Sequence, residues 1–332
     1  MADEIHGAGR EVVRSLLLAV ELPAAGEPAT LVSRSIAALN GFAAVGVDLA
    51  IIADDLRAQP AGRARIDAPT LAAFAAPTAP GIGLAPTIST THSEPFHLAK
   101  GVQTLDHASL GRAGWQVAVS TSAEEAAFFG RKSAVDTAEA WAEAEEAIEV
   151  AERLWDSWED DAEIRDVASG RFIDRDRVHH IDFEGRFFSV RGPSIVPRSP
   201  QGRPPIIVSA TSEASLDVAV RRADVIRVAA DGVAEARAGV ERAGRAGAVR
   251  ILVDVAVASA HWLEATLTSP IGGDADGVVL VFAETPDAAD YADVLSRVAA
   301  PGRGRTLRDR LGLDLPPNRY ALRSPALEGA HS

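Results

Sequence analysis

Two hydroxyl residues, Thr211 and Ser212, stand where the short apolar run 205–210 gives way to helix-forming residues. The first turn of a helix carries free backbone N–H groups at the positive end of its dipole. A strand that empties into Thr-Ser at such a point, with Ser215 adding a third hydroxyl, can therefore grip a phosphate. The same two residues equally make an ordinary helix cap, with Ser212 as the N-cap. Other candidates fall at the ends of other apolar runs. Asp54 and Asp55 close the run 48–54, and Thr87, Ser89, Thr90 and Thr91 close 82–90. Gln116 to Ser122 close 114–120, Ser209 closes 205–210 and Glu284 follows 277–283. Asp54 can hydrogen-bond a ligand edge, or cap a helix, or pair with Arg57. Thr87 offers a small hydroxyl, or is a threonine favoured by its strand.

Other chemistries find no support. Cysteine is absent, which removes thiolate nucleophiles, disulfides and cysteine-ligated metals. His92, His97 and His107 lack the paired carboxylates of a metal site, and the adjacent His179 and His180 would point to opposite faces of a strand. No metal site is expected. Only His92, near a strand end, is kept as a pocket candidate. No Ser-His-Asp arrangement or catalytic carboxylate pair follows from spacing.

The elements that must position these residues alternate along the chain. Runs at 15–21, 48–54, 82–90, 114–120, 205–210, 224–229, 250–258 and 277–283 read as strands, several of them continuously apolar, as in strands buried on both faces. Helical periods at 29–45, 68–79, 94–105, 137–158, 212–222, 233–245 and 287–300 separate them. Eight such units favour a (β/α)8 TIM barrel over an open doubly wound sheet, whose glycine fingerprint is missing. In a barrel, residues at the C-terminal ends of the strands form the site, which is the rule that selects the candidates above. An insertion at about 165–204, with a hairpin around Glu184-Gly185, interrupts the barrel between the fourth helix and the fifth strand. Residues 1–325 are expected to form one domain and 326–332 a disordered tail.

The net charge of −14 argues against nucleic acid. No run is long enough for a membrane span, and the first residues lack a secretory signal, so a cytoplasmic protein is expected.

Four collinear segments carry a resemblance: LAPTISTTHSEPFHLAKGVQTLDHASLGRAGW (84–115), LWDSWEDDA (154–162), VHHIDFEGRFFSVRGPSIVPRSPQGRPPIIVSATS (178–212) and GRTLRDRLGLDLPPNRYA (304–321). The chain resembles the bacterial-luciferase-like flavin-dependent monooxygenases, in the branch of the nitrilotriacetate, EDTA and dibenzothiophene-sulfone enzymes. The resemblance implies FMN, used in reduced form and supplied by a separate NAD(P)H:flavin reductase, a small organic substrate and a homodimer. It implies flavin contacts at Asp54 and Thr87 and the flavin phosphate at Thr211 and Ser212. Thr137 and Trp141 occupy positions where this branch places a His and a Tyr against the flavin. Gln116 and Val119 stand where relatives carry Asn and Thr, and the residues between Ala258 and Gly277 are too few for the long insertion of relatives. These departures leave two other readings open: a flavin-binding or non-catalytic paralogue, and an oxidoreductase using the deazaflavin F420.

Overall fold

The computed structural model describes residues 16–267, 273–299 and 304–321. All eight apolar runs form parallel strands: β1 (Leu17–Pro23), β2 (Leu49–Ala53), β3 (Gly83–Ser89), β4 (Trp115–Ala118), β5 (Ile206–Ser209), β6 (Val225–Val228), β7 (Arg250–Ala256) and β8 (Gly277–Val281). They close into a barrel in chain order, with β8 pairing back to β1 from Leu17 opposite Gly277 to Glu21 opposite Val281. The runs are apolar on both faces because one face fills the barrel and the other packs against helices.

The inward positions change character along the barrel axis. Leu17, Ala19, Leu49, Ile51, Ala85, Ile207, Val225, Leu252 and Val279 form an apolar core in the lower barrel. Leu307, Leu311 and Leu313 of the C-terminal segment join that core and close the bottom. Gly83 is required there, because a Cβ on it would lie 2.6 Å from Leu307 Cδ1. Two residues further along the strands the inward positions turn polar, with Glu21, Thr87, Ser209, Arg227 and Asp254.

The outer helices are α1 (Leu31–Ala44), α2 (Ala68–Ala75), α3 (Pro95–Ala108), α4 (Thr137–Asp156), α5 (Glu213–Arg222), α6 (Val233–Arg242) and α7 (Ala260–Leu267). Three helices escaped the sequence reading, one of them the short Leu307–Leu311 of the C-terminal segment. Residues Ala123–Phe129 are fixed by a Ser122–Glu125 capping box and a left-handed Gly130, a local signal hidden by the absence of a full apolar stripe. α7 fills the short connection before β8. The expected helix 287–300 is a 3-10 turn, Ala288–Tyr291, followed by Ala292–Ser296. The turn brings Ala288 so close to α1 that a Cβ on Gly41 would sit 2.5 Å from that of Ala288. The expected tail 326–332 lies outside the described residues.

Between α4 and β5 the chain makes two antiparallel hairpins, Glu163–Asp166 with Arg171–Ile173 and Phe183–Glu184 with Ser189–Val190. The second surrounds Glu184-Gly185 as the sequence suggested. The polar residues of the recognisable segments meet beneath these hairpins. Asp156 is fully buried and accepts from Arg198, from Arg203 Nε at 2.9 Å and from Arg319 Nε at 3.2 Å. Asp106 accepts from Gln201 Nε2 at 2.6 Å and from the Ala113 amide at 3.2 Å, while Gln201 Oε1 accepts from the Arg308 amide at 2.8 Å. Asn318 Nδ2 ties the C-terminal segment to the carbonyls of Asp156 and Trp158, each at 2.8 Å. These segments brace one another across the barrel's outer wall and base. No helix among the described residues is long and apolar enough to cross a membrane.

Candidate active site

A cavity of about 630 Å³ opens at the C-terminal mouth of the barrel. Its floor is the polar layer described above, and its wall includes residues of the first turns of α4 and the two residues that lead into α5. The size suits a small-molecule or cofactor site.

Of the six residues singled out from sequence, Thr87, Thr137, Trp141, Thr211 and Ser212 line this one cavity. Thr87 comes from β3, Thr137 and Trp141 from the first turns of α4, and Thr211 and Ser212 from the turn into α5. α4 is anchored at its start by Asp136, which accepts from the Glu139 amide at 2.8 Å. This fixes Thr137 at the rim, and the buried indole of Trp141 walls the cavity one turn further on.

Asp54 does not line the cavity. Its carboxylate accepts from the Ala68 amide at 3.0 Å and from Arg65 Nη1 at 3.0 Å, so it pins the start of α2. Burial outweighs both donors and raises its carboxyl to about 6. The partner is Arg65 rather than Arg57, which faces Glu125 at 3.8 Å. Glu284 is likewise engaged on the surface, by Arg63 at 2.8 and 3.1 Å.

Of the two arrangements considered from sequence for Thr211 and Ser212, the structure shows the helix cap. Ser212 is the N-cap of α5: its hydroxyl accepts from the Ser215 amide at 3.2 Å. Ser215 Oγ in turn accepts from the Thr211 and Ser212 amides at 3.0 and 2.9 Å. The amides of Glu213 and Ala214, first in the helix, find no backbone acceptor among the described residues. They remain as donors beside the Thr211 and Ser212 hydroxyls at the positive end of the dipole.

The floor holds what sequence reasoning missed. Arg227 of β6 donates from Nε and Nη2 to Asp254 of β7 at 2.9 and 3.1 Å. Its Nη1 reaches Glu21 of β1, and also Gln116 Oε1 of β4 at 3.2 Å. Burial disfavours the guanidinium's charge, but the two carboxylates more than offset this and raise its pKa. Burial raises the Asp254 carboxyl in spite of its partner. The signal was present as a charged residue at an inward position of each apolar strand, in LAVELP, VIRV and RILVDVA. A rule that looks for function only past the strand ends passes over charges within the strands.

The histidines divide similarly. His107 Nε2 meets the Pro197 carbonyl at 3.0 Å, and His179 Nε2 meets Glu159 at 2.7 Å. His92 lines a separate 240 Å³ pocket with Arg131, Lys132 and Glu143, stacked on Phe129 at 4.7 Å. Burial and then the Lys132 ammonium lower its pKa.

The mouth can therefore take a flat, partly polar ring against hydroxyl, methyl and indole surfaces, with an anionic tail at the start of α5. The model of the luciferase-like monooxygenase family matches residues 28–267. Nitrilotriacetate monooxygenase component A of Aminobacter aminovorans is 41% identical over 169 residues, 51% of this chain and 37% of that protein. The chain spans less than half the length of such relatives. A pristinamycin IIA synthase subunit of Streptomyces pristinaespiralis is 32% identical over 314 residues, 92% of this chain and 98% of that one. The EDTA monooxygenase of Chelativorans sp. BNC1 superposes with a TM-score of 0.74 at 21% identity, covering 90% of this chain and 99% of that chain.

Proposed function

The chain belongs to the luciferase-like monooxygenase family, and from that premise we propose that it is the oxygenating component of a two-component, FMN-dependent monooxygenase. The supporting observation is the convergence of Thr87, Thr137, Trp141, Thr211 and Ser212, each singled out from sequence, on one cavity of flavin-compatible size.

In this reading the α5 amides of Glu213 and Ala214 and the hydroxyls of Thr211 and Ser212 hold the FMN phosphate. Thr87 and the apolar wall at Val119 and Trp141 hold the ring. Reduced flavin, when bound, supplies the reaction with molecular oxygen, which amino-acid side chains do not provide. The protein's share is orientation and the exclusion of water. Trp141, 6% exposed, contributes most to the second, since it replaces solvent along one wall with an indole. A separate NAD(P)H:flavin reductase delivers the reduced cofactor, the substrate is a small organic molecule, and the chain works as a homodimer. Asp54 acts indirectly, holding α2 beside the mouth.

Anaerobic titration with FMN and FMNH₂, followed by flavin fluorescence and absorbance, tests this directly. Micromolar or tighter binding of the reduced form, and an oxygen-dependent flavin absorbance transient on rapid mixing, are expected. Binding without any such transient would instead favour a non-catalytic flavin-binding paralogue, and F420 serves as the competing ligand.

A further inference from the structure

The cavity is electrically divided. On the side of β3, β4, α4 and α5 it presents hydroxyls and apolar surface, with Thr87, Val119, Thr137, Trp141 and Ser212 and no charged side chain among the described residues. Its charged lining residues, Glu21, Arg227 and Asp254, all stand on β1, β6 and β7, on the opposite side of the barrel.

The one cation among the described residues of that side is already committed. Arg227 spends Nε and Nη2 on Asp254, and Nη1 on Glu21 and Gln116. Its side chain is only 4% exposed, whereas those of Glu21 and Asp254 are 19% and 29% exposed. Glu21 is engaged through Oε2, and no described donor reaches its Oε1. One guanidinium faces two carboxylates, and the carboxylates are the part of the triad that meets the cavity. A low-dielectric recess lined by one sign of charge concentrates ligands of the other sign.

We propose that this enzyme's substrate is an organic cation, a basic amine whose ammonium group sits against Glu21 while its reacting part faces the uncharged side. The assignment rests on the flavin reading, because the flavin takes the uncharged side and leaves the charged one to the substrate. It separates this chain from relatives named for polycarboxylates. A substrate bearing several carboxylates would find no free cation among the described lining residues and a negative floor beneath it.

Calorimetric titration of the FMN-loaded protein with three probes of one shape, benzylamine, benzyl alcohol and benzoate, tests the proposal. Benzylamine is expected to bind at least about tenfold more tightly than benzoate, with benzyl alcohol between them and the spread narrowing as salt is raised. Glu21→Gln, checked for folding by circular dichroism, is expected to remove most of that spread. Benzoate binding as well as benzylamine, or no saturable binding of benzylamine, overturns the proposal without recourse to a variant. An unchanged preference in folded Glu21→Gln also overturns it. The FMN titration is scored separately: if FMN binds and the amine preference is missing, only this inference falls.

Discussion

Replacing Arg227 by methionine removes the cation of the cavity floor while keeping a long apolar stem. The variant leaves the carboxylates of Glu21 and Asp254 facing each other with Gln116 as the remaining polar neighbour. Removing one partner of a buried ion pair costs roughly 3–5 kcal/mol, because the other is left as an uncompensated charge. Here both carboxylates keep some access to water, at 19% and 29% exposure, so a loss of about 2–4 kcal/mol is expected. The loss depends on pH, with a definite sign. Without Arg227 to lower it, burial and the neighbouring Glu21 carboxylate raise the folded-state pKa of the Asp254 carboxyl further above its unfolded value, so the folded state binds protons more tightly. Stability then falls as pH rises through that window, and the penalty is larger at pH 8 than at pH 5, by about 1.4 kcal/mol for each unit of upward shift. Urea unfolding followed by tryptophan fluorescence at the two pH values measures it, and adding Glu21→Gln should recover part of the loss at pH 8. A loss below about 1 kcal/mol, or one equal at both pH values, would refute the claim that the triad is a charge-compensated buried unit.

Three further outcomes follow from the same structure. The Asp54 carboxyl lies at about 6 against an ordinary 3.8, so wild-type stability should fall between these values as pH rises, by roughly 3 kcal/mol at most; Asp54→Asn should flatten that slope in pH-dependent unfolding. Asp156→Ala takes a fully buried carboxylate from Arg198, Arg203 and Arg319, of which Arg198 keeps Asp160 and Arg319 keeps Glu149, and should cost about 3 kcal/mol in urea unfolding, more than removal of any exposed ion pair. Ser212→Asp retains a good N-cap, since aspartate caps as well as serine, yet places negative charge at the proposed phosphate position. Its thermal midpoint should stay near that of the wild type while FMN affinity drops at least about tenfold.

The strands and the barrel were legible because burial on both faces writes a strand as an unbroken apolar run, and eight such runs with helical periods between them leave few ways to close. The rim was legible for a similar reason. Thr211-Ser212 and Thr87 follow or end apolar runs, and the barrel rule locates function there. Thr137 and Trp141 came only through resemblance, since nothing local sets them apart from other residues of an amphipathic helix. Arg227, Glu21 and Asp254 were hidden differently. Each is a charge set among apolar neighbours within a strand, and its meaning depends on partners as far as 206 residues away in sequence. Asp54 shows the converse limit: its position at a strand end was read correctly, but the direction of its side chain is set by the Ala68 amide and Arg65, which spacing does not reveal.

A crystal structure of the protein soaked with FMN bears most directly on whether the barrel mouth is the cofactor site. The ring is expected between Thr87 and Trp141, with its phosphate at the first amides of α5. Density for the flavin elsewhere, or a mouth left empty under conditions where FMN binds in solution, would contradict it.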